Sequence, residues 1–330
     1  MPILSKFLPR AVANCFPRFS PLYNSSVGSL RLLSSDQSPS ISESSLQSAI
    51  FEPKVVIFDK DGTLVCFHTM WNSWCEQLAN RMVVETTRTS LTDHVYELMG
   101  YDSEKREVRM GMLAEKTHPY IKEKVVEMLI NQGFDQWEAQ QVMSDTWKDT
   151  PENMEIKACG NLRVLFNRLK EHNIKIAICT SDSREGTEEF LHRLNLSQLV
   201  DMVVCGDDEG RKSKPDPHNA EWICSSLGVK PSEAIMVGDT PADTIMGQAA
   251  NLGLTVGVLT GVGSHADLTH ADLIVEDVSA VVDLIIPPKE DDKEHHSVSV
   301  TSRGLSKIAQ RSSFLRPERA VHESRNMSSR

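Results

Sequence analysis

The sequence predicts an α/β chain: a Rossmann-like parallel-sheet core with helices on both faces, plus an all-helical domain inserted after the first strand. Three observations predict it. From residue 156 on, short apolar runs ending in polar turns alternate with roughly ten-residue helical patterns, the mark of βαβ units and a parallel sheet. Right-handed crossovers then place helices on both faces. Upstream, Val55-Val56-Ile57-Phe58 is an apolar run too short for a helix and broken by Gly62. Between the two, residues 68–150 carry apolar side chains at helical spacing and almost no alternation.

In chain order, residues 1–35 hold Lys6, Arg10, Arg18 and Arg31, many serines and no acid. That is the composition of an organellar transit peptide, and Arg31-Leu32-Leu33-Ser34-Ser35 resembles a mitochondrial processing site. Import into the mitochondrial matrix is the expectation, with a cytoplasmic location as the alternative. Residues 36–53 read as a Ser-rich linker. In the inserted block, Met70, Trp71, Trp74, Leu78 and Met82 mark one helix. His118-Pro119 opens another, with Ile121, Val125, Met128 and Leu129 on one side and Gly133 at its end. Asp135 and Glu138 have capping-box spacing for a third, reaching about Trp147.

The core is expected to comprise residues 54–67 and 151–286. Within it, helices at 161–172, 185–194, 216–227 and 242–251 alternate with strands at 174–179, 199–205, 234–237, 254–258 and 273–275. Residues 287–330 turn polar and read as a disordered tail. Leu305, Ile308, Phe314 and Leu315 have the spacing of an amphipathic binding helix, a secondary reading, and His295-His296 is too short to be a metal site.

Composition excludes several classes. At 330 residues, 40% hydrophobic and 25% charged, the chain is ordinary globular protein, with room for one large domain or two modest ones. No apolar run approaches the ~18 residues of a membrane span. Seven dispersed cysteines without a Cys-x-x-Cys pair argue for reduced thiols rather than a disulfide framework or a zinc site. The formal charge is −11; four bases without acids in residues 1–35, and nine bases against six acids in residues 287–330, leave −18 for residues 36–286. So acidic a core argues against a nucleic-acid partner and fits a carboxylate site that takes a divalent cation.

The chemistry lies at strand ends. Asp59 and Asp61 follow the first apolar run, so two carboxylates sit at the carboxyl end of a buried strand, where open parallel sheets bind ligands. Such a pair is costly unless a cation or a reaction needs it. Three later loops join it: Thr180-Ser181, Lys212-Ser213-Lys214-Pro215-Asp216-Pro217, and Gly238-Asp239-Thr240-Pro241-Ala242-Asp243. Phosphoryl transfer needs a nucleophile, charge neutralisation and positioning. A carboxylate can be the nucleophile, and Mg²⁺ is the hard cation suited to carboxylates, water and phosphate.

In order and spacing these four loops resemble motifs I to IV of the haloacid dehalogenase superfamily over about residues 54–276, and the fourth resembles its phosphoglycolate phosphatase branch. The resemblance implies that Asp59 becomes an aspartyl-phosphate and that Asp61 is the general acid/base. It also implies Mg²⁺ held by Asp59, the Asp61 carbonyl and Asp239, with Asp243 either binding it directly or supporting the ligands from behind, and Lys214 neutralising the phosphoryl group and Asp59. Thr180, Ser181 and Thr63 would donate to phosphoryl oxygens. Residues 68–150 would be a helical C1 cap domain, with His68, Arg106, Arg109 and Lys116 as candidate substrate contacts. Lys60 departs from the apolar residue many relatives carry, and its side chain is expected to point away from Asp59 and Asp61. The implied function is Mg²⁺-dependent hydrolysis of small phosphate monoesters, with a small phosphorylated metabolite as partner. A phosphosugar mutase, a pyrophosphatase and a non-catalytic binding protein of the same fold are the alternatives. The oligomeric state has no signature in the sequence.

Overall fold

The computed structural model describes residues 31–32, 53–149, 155–286, 297–304 and 306–307. Its centre is the strand the sequence pointed to. β2 (Val55–Phe58) lies between β5 (Lys175–Cys179) and β7 (Ala234–Gly238), parallel to both, and all four of its residues are fully buried. Beyond β5 lies β6 (Met202–Val204), and beyond β7 come β8 (Leu254–Val258) and β9 (Leu273–Val275), all parallel. A strand buried on both faces needs apolar residues at every position, which is why these runs show no alternation.

Alternate side chains feed opposite layers. Val56, Phe58, Ile176, Ile178, Ile235 and Val237 face one core, with α6 (Leu162–Glu171), α7 (Arg184–Arg193) and α10 (Val278–Ile285). Val55, Ile57, Ala177, Cys179, Ala234 and Met236 face the other, with α8 (His218–Leu227) and α9 (Pro241–Ala249). The register sets Phe58 opposite both Ile178 and Val237, so the residues that follow the three strands emerge side by side.

Among the described residues between β2 and α6 lie five helices: α1 (Phe67–Thr86), α2 (Leu91–Met99), α3 (Met112–Glu115), α4 (His118–Asn131) and α5 (Gln136–Thr146). The apolar stripes read from the sequence are buried, and the capping box is formed: Glu138 N donates to Asp135 Oδ1 at 2.8 Å and Asp135 N to Glu138 Oε2 at 3.1 Å. The block also contains a hairpin that the spacing did not reveal, β3 (Tyr101–Asp102) against β4 (Glu107–Val108). Two-residue strands leave no alternation to read. Where the chain leaves and re-enters the core its two segments pair, Cys66 N to Lys157 O and Cys159 N to Leu64 O, each at 2.8 Å.

The tail reading requires correction. β10 (Ser297–Val300) pairs antiparallel with β9, and β1 (Arg31–Leu32) pairs parallel with β10 at the sheet edge. Ser-Val-Ser-Val is an alternating strand, and Val298 is fully buried. The charged residues around it obscured so short a signal. Arg303 and Lys307 then pair with the fully buried Asp272. Leu305, Ile308, Phe314, Leu315, His295, His296 and the remainder of residues 1–52 lie outside the described residues. Among the described residues no helix is long and apolar enough to cross a membrane.

Candidate active site

Three strand ends and one loop meet at the carboxyl edge of the sheet. Asp59 is fixed by its own amide, which donates to Val237 O at 2.8 Å. Lys214, from the loop before α8, places Nζ 2.6 Å from Asp59 Oδ1 and 2.6 Å from Asp243 Oδ1. Lys212, two residues earlier in the same loop, instead pairs with Asp216 in solvent. Asp239 directly follows β7, and Asp243 lies in the first turn of α9, where its Oδ2 accepts from Thr240 N at 3.1 Å and Thr240 Oγ1 at 2.7 Å. That capping arrangement immobilises the Asp243 carboxylate.

Ligand atoms of Asp59, Asp239 and Asp243 lie within 4.8 Å of one another, all buried. With all three carboxyls ionised, the cluster and Lys214 would carry three negative charges and one positive, a deficit that one divalent cation would cancel. Burial, then the nearby Asp243 carboxylate, pushes the Asp59 carboxyl up to about 7, against the opposing pull of Lys214. Burial and the neighbouring Asp59 and Asp243 hold Asp239 well above the usual range. Burial acts to lower the Lys214 ammonium, but Asp243 and Asp59 outweigh it and raise the pKa. The donor set fits Mg²⁺. Asp59 has one oxygen on Lys214, and the Asp61 carbonyl takes no backbone hydrogen bond among the described residues. Asp243 has both oxygens engaged, by Lys214 and by Thr240, which suits it to steering its neighbours more than to binding the ion itself.

Glycines make room for Asp239. A Cβ on Gly62, whose φ is +83°, would lie 2.3 Å from Asp239 Oδ2, and one on Gly261 would lie 1.8 Å from it. Val262 N, beside Gly261, donates to the same oxygen at 3.0 Å. Thr63, expected on the substrate phosphoryl, turns its hydroxyl 3.4 Å from Asp239 Oδ1.

On the other side of Asp59 a polar cleft opens, about 320 Å³ including space open to solvent. Asp59, Asp61, Thr180 and Ser181 form its floor, and Phe67, Trp71, Lys116 and His118 of the helical block form its wall. Thr180 Oγ1 accepts from Asp182 N at 3.1 Å, which leaves its proton free to donate, and Ser181 Oγ lies 3.4 Å from Glu115 O of the block. Of the four candidate substrate contacts only Lys116 reaches the cleft. His68 lies 3.8 Å from Glu107, Arg106 pairs with Glu76 at 2.9 Å, and Arg109 pairs with Asp102.

Lys60 contradicts the expectation set for it. Its side chain folds back under the loop, 1% exposed, with Nζ 2.7 Å from Asp61 Oδ1 and 2.8 Å from Asp182 Oδ2. The tight Asp-Lys-Asp-Gly-Thr-Leu turn is closed by three amides, Thr63, Leu64 and Val65, that donate to Lys60 O. This loop geometry overrides the strand rule that neighbouring side chains point apart. Burial raises the Asp61 pKa, against the pull of Lys60. The Trp71 indole is near enough to lower it somewhat, but its buried N–H makes no hydrogen bond of good geometry. Asp182, His118 and Trp71 were missed as site residues. Asp182 was readable as the next residue after Thr180-Ser181, whereas His118 looked only like a helix opener before Pro119.

The haloacid dehalogenase-like hydrolase family model matches residues 56–256. Validoxylamine A 7'-phosphate phosphatase of Streptomyces hygroscopicus subsp. limoneus is 33% identical over 117 residues, 36% of this chain and 54% of that protein. Pyrophosphatase PpaX of Bacillus cereus is 29% identical over 195 residues, 59% of this chain and 78% of that protein. The chain thus spans about half the length of the first and over three quarters of the second. A solved structure described as a predicted phosphoglycolate phosphatase from Haemophilus somnus 129pt superposes with a TM-score of 0.52 at 17% identity, covering 71% of this chain and 99% of that one, a likeness of fold. Four strand-end loops converging on one buried carboxylate cluster, with the family model spanning all four, establish that the chain belongs to the haloacid dehalogenase-like hydrolase family.

Proposed function

We propose that the chain is a Mg²⁺-dependent phosphatase acting on small phosphate monoesters, phosphoglycolate among the candidates. The observation that carries this reading is one geometry: Asp59, paired with Lys214, and Asp61, beside it, open onto the same cleft as Thr180 and Ser181. A carboxylate nucleophile, a second carboxyl raised by burial and a set of donors are what a two-step phosphoryl transfer requires.

In the first step an oxygen of Asp59 attacks phosphorus in line. The ester P–O bond breaks, and the leaving alkoxide takes the Asp61 proton. In the second step Asp61 takes a proton from water as that water attacks phosphorus, and the P–O bond to Asp59 breaks to release phosphate. Bound Mg²⁺ supplies charge neutralisation that lets an anionic nucleophile meet an anionic ester. Lys214, the Thr180 hydroxyl and the Ser181 amide stabilise the transferring oxygens. Asp239 would hold the metal with Asp59, and Asp243 fixes Lys214.

Residues 68–150 act as the cap. Their Lys116, Trp71 and His118 wall the leaving-group side of the cleft and exclude water from it. A cationic side chain there favours an anionic leaving group, which also keeps pyrophosphate in view, as does the Bacillus cereus relative. Residues 1–35 direct the chain to the mitochondrial matrix; fusing them to a fluorescent protein and following its import tests that. The activity itself is tested by Mg²⁺-dependent phosphate release from a panel of phosphate esters, pyrophosphate and sugar phosphates with a bisphosphate activator. Release from monoesters by the full chain, abolished in Asp59→Asn and by chelator, is the expected result. Turnover confined to the activated sugar phosphate would indicate a mutase, and silence throughout would indicate a binding protein.

A further inference from the structure

Lys60 is a buried cation in this region that the two-step mechanism leaves without a role. It is 1% exposed and lies between two carboxylates, Asp61 at 2.7 Å and Asp182 at 2.8 Å, with its ammonium 5.9 Å from the Phe190 ring centroid. Burying a lysine is expensive, and two carboxylates at hydrogen-bond distance offset that cost while fixing the ammonium between them. Asp182 is held in turn. Its Oδ1 accepts from Ser183 N at 2.7 Å, and His118 Nε2, on the first turn of α4, lies 3.3 Å from the same oxygen; His118 Nδ1 lies 3.3 Å from Asp149 Oδ1. The imidazole sits edge-on between Trp71 and Trp147, each ring centroid 5.6 Å away, which fixes its plane. One line of contacts therefore runs from the helical block, through His118, Asp182 and Lys60, to the Asp61 carboxylate.

We propose that Lys60 is a positioning residue for Asp61, and that Asp182, held by His118 of the helical block, seats Lys60. The proposal rests on the phosphatase reading. Asp61 lies within the turn, immediately before Gly62, and is itself partly open to the cleft, so without Lys60 its carboxyl has several rotamers that miss the leaving oxygen. Lys60 pins one oxygen, Oδ1, and leaves the other for the proton transfer. Because His118 belongs to the helical block, the acid/base is held in place when that block is seated on the core. The helical block thereby contributes to proton transfer without touching the proton.

A positioning role for an acid/base has a signature that loss of structure lacks. An aryl ester expels a phenolate that needs no proton, whereas an alkyl ester needs the general acid. The value of kcat/KM reports the step in which the ester bond breaks. The measurement compares p-nitrophenyl phosphate with the alkyl phosphate turned over fastest in the panel. The variants are Lys60→Met, Lys60→Met/Asp182→Asn and His118→Gln. The double variant removes one buried cation and one buried anion together, so it keeps the charge balance and the fold if the single variant does not.

The expected result is a fall in kcat/KM of about 10–100-fold for the alkyl ester, a fraction of what a general acid supplies, with the aryl ester within about threefold of wild type. His118→Gln should shift the same ratio in the same direction by a smaller factor. Equal losses on both esters, or no loss on either, would overturn the role given to Lys60. An unchanged ratio in His118→Gln would overturn the link to the helical block. A wild-type chain inert toward every ester refutes the phosphatase reading, a result distinct from an active wild type whose Lys60 variants lose both esters alike.

Discussion

Lys214 Nζ bridges Asp59 and Asp243 at 2.6 Å each, inside a site from which solvent is almost wholly excluded. Among the described residues this ammonium is the one positive charge in direct contact with the Asp59, Asp239 and Asp243 cluster. Replacing it with Met leaves three buried carboxylates facing one another. Such uncompensated charge costs about 3–5 kcal/mol. Urea unfolding of Lys214→Met in chelator should show a loss of that order, partly recovered by added Mg²⁺, together with loss of phosphate release. Unchanged unfolding in chelator would contradict the charge count.

The same cluster sets a pH dependence. The Asp59 carboxyl is raised from 3.8 to about 7 in the folded chain, through burial first and then Asp243. Between those values the folded state binds more protons than the unfolded state, so stability falls as pH rises through that window. In chelator the melting temperature should therefore decline from pH 5 toward pH 7 in wild type, and Asp59→Asn should flatten the slope. Metal binding displaces the proton, so the increment from Mg²⁺ should grow over the same range. A Mg²⁺ increment larger at pH 5 than at pH 7 would contradict this assignment.

Gly261 leaves Asp239 no alternative position. Gly261→Ala drives a methyl into the carboxylate, 1.8 Å from Oδ2 before any shift. Displacing a ligand's supporting contacts typically costs about 10–100-fold in metal affinity, and calorimetric titration with Mg²⁺ should find a loss in that range. Wild-type affinity in Gly261→Ala would mean that Asp239 is not a ligand.

Lys116 and Arg109 make a paired test of the cap. Lys116 lines the cleft, whereas Arg109 pairs with Asp102 away from it. Lys116→Met should raise KM about tenfold for esters with an anionic leaving group, the cost of one charged contact, and leave kcat nearly unchanged. Arg109→Met should alter neither. Equal effects from both would remove the basis for assigning Lys116 to the substrate.

The C-terminal segment should contribute to stability. Asp272 is fully buried and its carboxylate is met by Arg303 at 3.0 Å and Lys307 at 2.7 Å. Removing residues 297–330 strips both partners and uncovers β9, so a loss of about 3–5 kcal/mol is expected in urea unfolding. No change would restore the reading of this segment as a disordered tail.

The strands around β2 were legible because a strand buried on both faces has to be apolar throughout, and each ended in a polar loop whose chemistry stood out. Asp59, Thr180 and Asp239 were readable for the same reason: parallel strands in register deliver the residues that follow them to one edge. The parts that were not legible depend on contacts distant in sequence. His118 meets Asp182 across 64 positions, and no local pattern records that pairing. Lys60 was noticed but misplaced, because strand geometry was extended one residue too far into a turn closed by amides on its own carbonyl. Ser-Val-Ser-Val was lost because four alternating residues carry little signal in a charged stretch, and its pairing with β9 is a tertiary fact.

Covalent chemistry at Asp59 can be caught by trapping the phosphorylated enzyme. The full chain and its Asp61→Asn variant are mixed with p-nitrophenyl phosphate and Mg²⁺, quenched in acid, and mapped by peptide mass. The account predicts phosphate on the peptide containing Asp59, accumulating most in Asp61→Asn, which forms the acyl-phosphate but lacks the base to hydrolyse it, and absent from Asp59→Asn. Turnover without phosphate on that peptide, or turnover that survives Asp59→Asn, would contradict it.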